Sequence, residues 1–174
     1  RGIGTSLLNI GYAHWYKGDY DRALNYYGRA LTIQEELGNK YMIGASFLNI
    51  GIAHLYKGDY KKAEEYLEKS LVLQKEIELG GELPLWTNTY LYLTYKQLGK
   101  EYDVNQIHAL IKDAENIEFD LNLRLYELLE DKSYLETAYN QIQELADNLE
   151  SDVAAKFLSY PIPKAIVEEW EKVK

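Results

Sequence analysis

Histidines and paired carboxylates are the residues of this chain whose chemistry suits metal binding or acid–base catalysis. His14 and His54 stand 40 positions apart, which is one period of an internal repeat. Equivalent atoms of stacked helical repeats are separated by about 10 Å, whereas a metal ion lies about 2.0 Å from a histidine nitrogen. We therefore predict that both histidines pack in a core and that they share no metal.

The other sequence features that could indicate catalysis or metal binding are weak. Glu64 and Glu65 are neighbours in sequence, and neighbouring side chains on a helix do not face each other. The chain has no phosphate-binding loop, no His-Glu-x-x-His motif and no nucleophile elbow. We therefore expect no catalytic residue, no metal site, no cofactor and no enzymatic activity.

The composition limits the classes of partner. The chain has 28 acidic and 19 basic residues, and its net charge of −9 disfavours nucleic acids and anionic membranes because both are negatively charged. No apolar run approaches the ~18 residues of a membrane span. The sequence has no cysteine, which excludes disulfides and is typical of a reducing compartment, so we expect a cytoplasmic location.

An internal repeat organises the first half of the chain. A shift of 40 residues superposes residues 1–40 on 41–80 with 19 identical positions. Each repeat predicts two helices. In the first repeat these are helix A over about 3–16 and helix B over about 20–37, with a break at Lys17-Gly18-Asp19 because glycine ends helices and aspartate caps them.

Side-chain spacing predicts which faces of the two helices are buried. The predicted core stripe of helix A is Ile3, Leu7, Ile10 and His14. Gly11 and Ala23 are expected where helices A and B cross closely, because a larger side chain would push the two backbones apart.

This pattern resembles the tetratricopeptide repeat family. The resemblance is carried by Ile10-Gly11, Gly18-Asp19-Tyr20, Ala23, Tyr27 and Ala30, and by the equivalent residues of the second repeat. Departures are the 40-residue period, Ser70 in place of alanine, and histidine at 14 and 54 in place of tyrosine. The resemblance implies an all-α fold, a right-handed α-solenoid superhelix of helix-turn-helix repeats.

Two later repeats and a tail complete the predicted organisation. Alignment of Gly99 with Gly18 predicts a third repeat over 82–116 and places Val104 at the Ala23 position and His108 at a core position. A fourth repeat is predicted over 118–149, with a capping box opening its second helix at Ser133. We therefore predict a repeat array over 1–150.

The tail, 151–174, is predicted to be a C-terminal capping segment with a helix that starts at Pro163. It is similar to the ends of prokaryotic signalling proteins that carry such repeats. The chain starts within a helical pattern and without Met, so we expect it to be a fragment of a longer protein.

Opposite the predicted core stripe, helix A carries a face with little charge. In the resembled family the A helices line the concave surface of the superhelix. This surface predicts a binding site for an extended peptide. Asparagine amides would form hydrogen bonds with its peptide groups, and aromatic rings would supply apolar contact. The candidate residues are Thr5, Asn9, Tyr12, Tyr16, Asn49, Ile52, Tyr56, Trp86 and Tyr90.

These observations favour a non-catalytic module that binds a protein or peptide segment in its concave groove, as a scaffold or regulatory arm of a larger signalling protein. One alternative is self-association into a homo-oligomer by stacking of open repeat ends. For the site itself, the alternative is that the asparagines bond to a neighbouring helix and the tyrosines pack between repeats. The C-terminal helix is expected either to cap the array or to occupy the groove.

Overall fold

The structure, a computed structural model, describes residues 2–174, so Arg1, the first residue of the predicted array, lies outside the described residues. Within 2–174 all regular structure is helical. The helices are α1 (Gly2–Tyr16), α2 (Tyr20–Glu36), α3 (Lys40–Tyr56), α4 (Tyr60–Glu76), α5 (Glu82–Leu98), α6 (Val104–Lys112), α7 (Phe119–Leu129), α8 (Lys132–Asp147), α9 (Ser151–Leu158) and α10 (Pro161–Val173).

The breaks between the first helices follow from local chemistry. Gly18 and Gly58 both adopt φ +78°, a left-handed conformation that glycine tolerates better than other residues. Asp19 then caps α2, where its carboxylate accepts a hydrogen bond from the backbone N–H of Arg22 at 3.3 Å. Asn39 caps α3 in the same way, through the N–H of Met42 at 3.2 Å.

The helices form two compact units, one ending at Glu115 and one spanning Asn116–Lys174. In the first unit α1 packs on α2, α2 on α3, α3 on α4, α4 on α5 and α5 on α6. In the second unit α8 packs against α7, α9 and α10. Consecutive helix pairs are therefore the building blocks of the fold.

Close helix crossings explain the small residues of the repeat. A Cβ atom added to Gly11 would lie 2.5 Å from Cε1 of Tyr27, and one added to Gly51 would lie 2.6 Å from Cγ of Leu67. Ala23 and Ala63 are fully buried. Helices A and B of both repeats approach closely because no side chain intervenes at these glycines, which confirms the close crossing predicted at Gly11 and Ala23.

The predicted core stripe of α1 is partly wrong. Leu7 is buried, but Ile3 is exposed and Ile10 is 41% exposed, whereas the equivalent Ile50 of the second repeat is 5% exposed. The reason is a difference in the helices that pack beside α1 and α3. Helix α2 packs against α3, while among residues 2–174 no helix occupies the corresponding place beside α1. The inner face of α1 is formed instead by Gly4, Leu7, Leu8, Gly11 and Trp15.

The predicted alignment of the third repeat is also wrong within helix α6. Gly18 directly precedes the cap Asp19, whereas Gly99 precedes the cap of α6, Asp103, by four positions. The position equivalent to Ala23 is therefore Ile107, which is fully buried, and Val104 is exposed. His108, predicted to lie in the core, is exposed for the same reason.

In the second unit α10 packs against α7, α8 and α9. The ring of Trp170 stacks on Tyr139 of α8 at 5.4 Å, and the Tyr126 hydroxyl donates a hydrogen bond to Glu169 at 3.2 Å. The predicted capping box at Ser133 is wrong. Helix α8 begins at Lys132, and the Asp131 carboxylate accepts from the Ser133 backbone N–H at 2.9 Å, so Asp131 is the cap.

Candidate functional site

The predicted groove residues of α1 and α3 differ in accessibility. Thr5, Asn9 and Tyr12 are exposed, and Tyr16 is half-buried. On α3, Asn49 and Tyr56 are half-buried. Ile52 is buried at 7% exposure, so its side chain is part of the interior and offers little surface to a ligand.

The third helix of the predicted groove is less open. On α5, Trp86 is half-buried and its ring stacks on Tyr90 at a centroid distance of 5.9 Å. Tyr90 itself is only 1% exposed. The expectation that Tyr90 presents its ring to a ligand is therefore corrected: in this structure its ring is an interior packing element, and the open part of the predicted stripe lies on α1 and α3.

An aromatic cluster joins the ends of α1 and α3. Tyr12 stacks on Trp15 at 5.5 Å and lies 6.1 Å from Tyr16. Tyr56 meets the edge of Trp15 at 5.5 Å and stacks on Tyr20 at 5.8 Å. The structure thus brings together three predicted residues, Tyr12, Tyr16 and Tyr56, from two successive repeats.

Sequence reasoning missed Trp15 and Tyr20 as members of this cluster. Trp15 is buried and its indole nitrogen has no hydrogen-bond partner within the described residues. Its position three residues after Tyr12 is a signal that could have identified it, because residues at i and i+3 are neighbours on a helix. Tyr20 opens α2, and only the packing of α2 against α3 places it on Tyr56.

Asn9 and Asn49 occupy equivalent positions of successive repeats. Asn9 is exposed and Asn49 is half-buried. Within residues 2–174 neither side-chain amide takes part in a hydrogen bond. The alternative that these amides bond to a neighbouring helix therefore finds no support in the structure, and the donor and the acceptor of each amide remain available to a ligand.

The two repeat histidines have matching environments. Nδ1 of His14 lies 3.6 Å from the Asp19 carboxylate, and His54 is placed in the same way against Asp59. The rings stack on Tyr26 at 5.4 Å and on Tyr66 at 5.8 Å. Burial lowers the pKa of His54, and the nearby Asp59 carboxylate opposes that shift. Within residues 2–174 no three His, Asp or Glu side chains are grouped as a metal site.

Charge is distributed unequally between the A and B helices. Helix α1 contains no Asp, Glu, Lys or Arg, and α3 contains only Lys40. Helix α4 by contrast carries surface pairs such as Glu65 and Lys69, whose charged atoms lie 2.6 Å apart. The uncharged, aromatic and amide-bearing surface of α1 and α3 differs from an ordinary solvated helix face, and it suits contact with a polypeptide.

Comparison with known proteins agrees with this architecture. Residues 2–76, which span α1 to α4, match the family described as tetratricopeptide repeat. No curated protein matches the chain. These residues, which make up less than half of the chain, are similar to tetratricopeptide repeats, and the helices described in 2–174 have the all-α arrangement of consecutive helix pairs that such repeats adopt. Tetratricopeptide repeats are protein-interaction modules and not a catalytic family. No helix described in residues 2–174 is both long and apolar enough to cross a membrane.

Proposed function

We propose that this chain binds an extended segment of a protein partner on the surface formed by α1 and α3, and that it serves as the interaction arm of a larger signalling protein. The binding is an equilibrium process without chemistry. The ligand-contacting residues are Thr5, Asn9, Tyr12, Tyr16, Asn49 and Tyr56, with Trp86 at the edge of the surface.

The observation that carries this proposal is the pair of unbonded amides beside the aromatic cluster. An extended chain presents a peptide group about every 3.3 Å, each with one donor and one acceptor. The amides of Asn9 and Asn49 can satisfy both. Tyr12 and Tyr16 supply apolar contact beside Asn9, and their mutual packing reduces the side-chain entropy lost when a ligand binds.

The proposal is tested with peptides selected against the purified chain from a displayed random library. The affinity of a selected peptide is measured by fluorescence anisotropy for the wild type and for Asn9→Ala/Asn49→Ala. Two lost hydrogen bonds, each worth about 1 kcal/mol, weaken binding by about tenfold to thirtyfold. The variant is expected to be at least as stable as the wild type, because neither amide is hydrogen-bonded within the described residues and alanine favours the helix more than asparagine does.

The matched control is Asn25→Ala/Asn140→Ala, which removes two exposed asparagines from α2 and α8. It is expected to bind the peptide as the wild type does. Equal affinity of the groove variant and the wild type would contradict the assignment of the site to α1 and α3.

A second candidate function, self-association, is supported by the exposed side of α1. Ile3 and Ile10 lie there in solvent, although the identical residues Ile43 and Ile50 of α3 are half-buried and buried. A second copy that covers this side of α1 would bury the same apolar surface that α2 covers on α3. Light scattering of the chain over a hundredfold range of concentration tests this idea, and a constant monomer mass would exclude it.

A further inference from the structure

A cleft of about 390 Å³ opens in the second unit between the start of α7 and the C-terminal half of α8. Its volume lies within the range of ligand-binding pockets. None of its lining residues belongs to α1 or α3. The cleft is lined by Asn116, Glu118, Phe119, Gln141, Glu144, Leu145 and Asn148.

Hydrogen bonds hold the two walls of the cleft together. The Gln141 amide donates to the Ile117 carbonyl at 2.8 Å and accepts from the Asn122 amide at 3.1 Å. The Asn122 amide also donates to the Ile117 carbonyl at 2.8 Å. The ring of Phe119 makes an edge-to-face contact with Phe157 at a centroid distance of 6.2 Å. Hydrogen bonds from Gln141 and Asn122 therefore fix the floor of the cleft, and exposed side chains such as Glu118 and Glu144 form its rim.

The cleft combines uncompensated negative charge with apolar walls. Among the described residues neither Glu118 nor Glu144 forms an ion pair. Residues 133–155 contain five acidic side chains and no Lys or Arg. The unit as a whole has 13 acidic and 6 basic residues, a net charge of −7. Lys164 and Lys172 of α10 and Lys174 at its end pair with glutamates of the same helix, so they do not neutralise the cleft.

Exposed apolar side chains follow the cleft along the chain. Leu145, at the cleft, is 47% exposed, and Leu149 in the turn after α8 and Val153 in α9 have similar exposure. Asp147, Glu150 and Asp152 are interleaved with these apolar residues. This exposed stretch thus combines apolar and acidic side chains, a composition complementary to a segment that is both apolar and basic.

We propose that this cleft binds an arginine side chain from a basic, amphipathic segment of a protein partner. The guanidinium bonds to the carboxylates of Glu118 and Glu144 and lies against the ring of Phe119, and apolar residues of the same segment cover Leu145, Leu149 and Val153. Arginine suits this lining better than lysine because its planar guanidinium stacks on aromatic rings and bonds to carboxylates at two points.

The helix ends at the cleft agree with a cationic ligand. The C-terminal end of α8 carries partial negative charge, which favours a cation nearby. The N-terminal end of α7 carries partial positive charge, but Glu118 at its cap position and Asp120 in its first turn already supply negative charge there. An anionic ligand would meet both carboxylates of the cleft. This site does not depend on the groove proposed on α1 and α3.

The test uses the full chain and a fluorescein-labelled peptide of alternating leucine and arginine. Glu118→Gln/Glu144→Gln removes both cleft charges and keeps the shape of the side chains. Each exposed charge contact is worth roughly a factor of two to five, so the peptide is expected to bind this variant about tenfold more weakly. A peptide with citrulline in place of arginine is expected to bind the wild type as weakly as the arginine peptide binds the variant.

The matched control is Glu136→Gln/Glu168→Gln, which changes the net charge of the same unit equally at exposed positions away from the cleft. It is expected to retain nearly full affinity. Equal loss in both variants would show attraction to the overall charge and would overturn the cleft assignment, as would no loss in either. Full affinity of the peptide with lysine in place of arginine would overturn the assignment to arginine.

Discussion

At the scale of single residues, environment decides what a side chain can do. Asn9 and Asn49 have the same type and the same repeat position, and both amides remain unbonded within the described residues. Ile52 and Tyr90 also lie on the stripe that helical spacing indicates, but both are buried. Spacing alone places a residue on a face of its helix. Whether that face is open depends on what packs against it.

Asp120 provides a test of burial at this scale. It is 6% exposed, and burial is the main reason that its pKa is raised from 3.8 to about 6. The folded state therefore binds this proton more tightly than the unfolded state. The contribution of this group to the free energy of unfolding is fully present below about pH 4. It is lost as the pH rises through 6, a decrease of roughly 2–3 kcal/mol.

We expect Asp120→Asn to raise the unfolding temperature at pH 7 and to remove this component of the pH dependence. The asparagine oxygen can still accept the hydrogen bond from the Leu121 N–H, which is 2.8 Å long in the wild type. Thermal unfolding between pH 4 and pH 7 measures the effect, with the exposed Asp152→Asn as control. An unchanged pH profile in Asp120→Asn would contradict the raised pKa.

At the scale of helices, backbone approach accounts for the repeated glycine. A methyl group at Gly51 would meet Leu67 and would lie 3.3 Å from the carbonyl oxygen of Ala63, which belongs to the backbone and cannot easily move. Gly28, by contrast, has no heavy atom within 4 Å of the place where its Cβ would lie. A larger residue is therefore unfavourable at position 51 and is tolerated at position 28.

Gly51→Ala and Gly28→Ala are consequently expected to change stability in opposite directions. Overpacking at position 51 costs about 1–3 kcal/mol, which exceeds the gain of about 1 kcal/mol from the better helix propensity of alanine. At position 28 only the gain of about 1 kcal/mol remains. Urea unfolding followed by circular dichroism measures both changes, and stabilisation by Gly51→Ala would contradict the close crossing of α3 and α4.

At the scale of the whole molecule, equivalent residues differ because their repeats have different neighbours. Ile10 and Ile50 are identical in type and repeat position, yet one is exposed and the other is buried. Helix α3, which carries Ile50, packs against α2, whereas within residues 2–174 no helix has the corresponding place beside α1. The difference in exposure follows from this difference in neighbouring helices.

Lysine substitutions at positions 10 and 50 are expected to lower the free energy of unfolding by different amounts. Ile50→Lys places a charge in the interior and lowers the free energy of unfolding by at least about 3 kcal/mol. Ile10→Lys changes the stability of the monomer by less than about 1 kcal/mol, because its charge remains in water. Thermal unfolding at low protein concentration provides both values. If self-association occurs through α1, Ile10→Lys alone is expected to abolish it in light scattering without unfolding the chain.

Local signals in the sequence are sufficient to predict the helices of the first two repeats and their pairing. The 40-residue repeat, the glycine breaks at 18 and 58 and the cap at Asp19 are local signals, and local chemistry decides where helices begin and end. The small residues Gly11 and Ala23 likewise indicated a close crossing, because few other reasons place small residues at such positions in successive repeats. The long, regular repeats were predictable for this reason.

Which helix faces are covered, and how the irregular repeats are aligned, depend on packing between helices that are distant in sequence. The exposure of Ile10, the burial of Tyr90 and the cluster of Tyr12, Trp15 and Tyr56 depend on which helices lie beside one another. The longer connection before α6 moved Ile107 into the position expected for Val104. The cleft between α7 and α8 combines residues more than twenty positions apart. Helical periodicity acts over a few turns, so contacts between distant helices become visible only once the chain has packed.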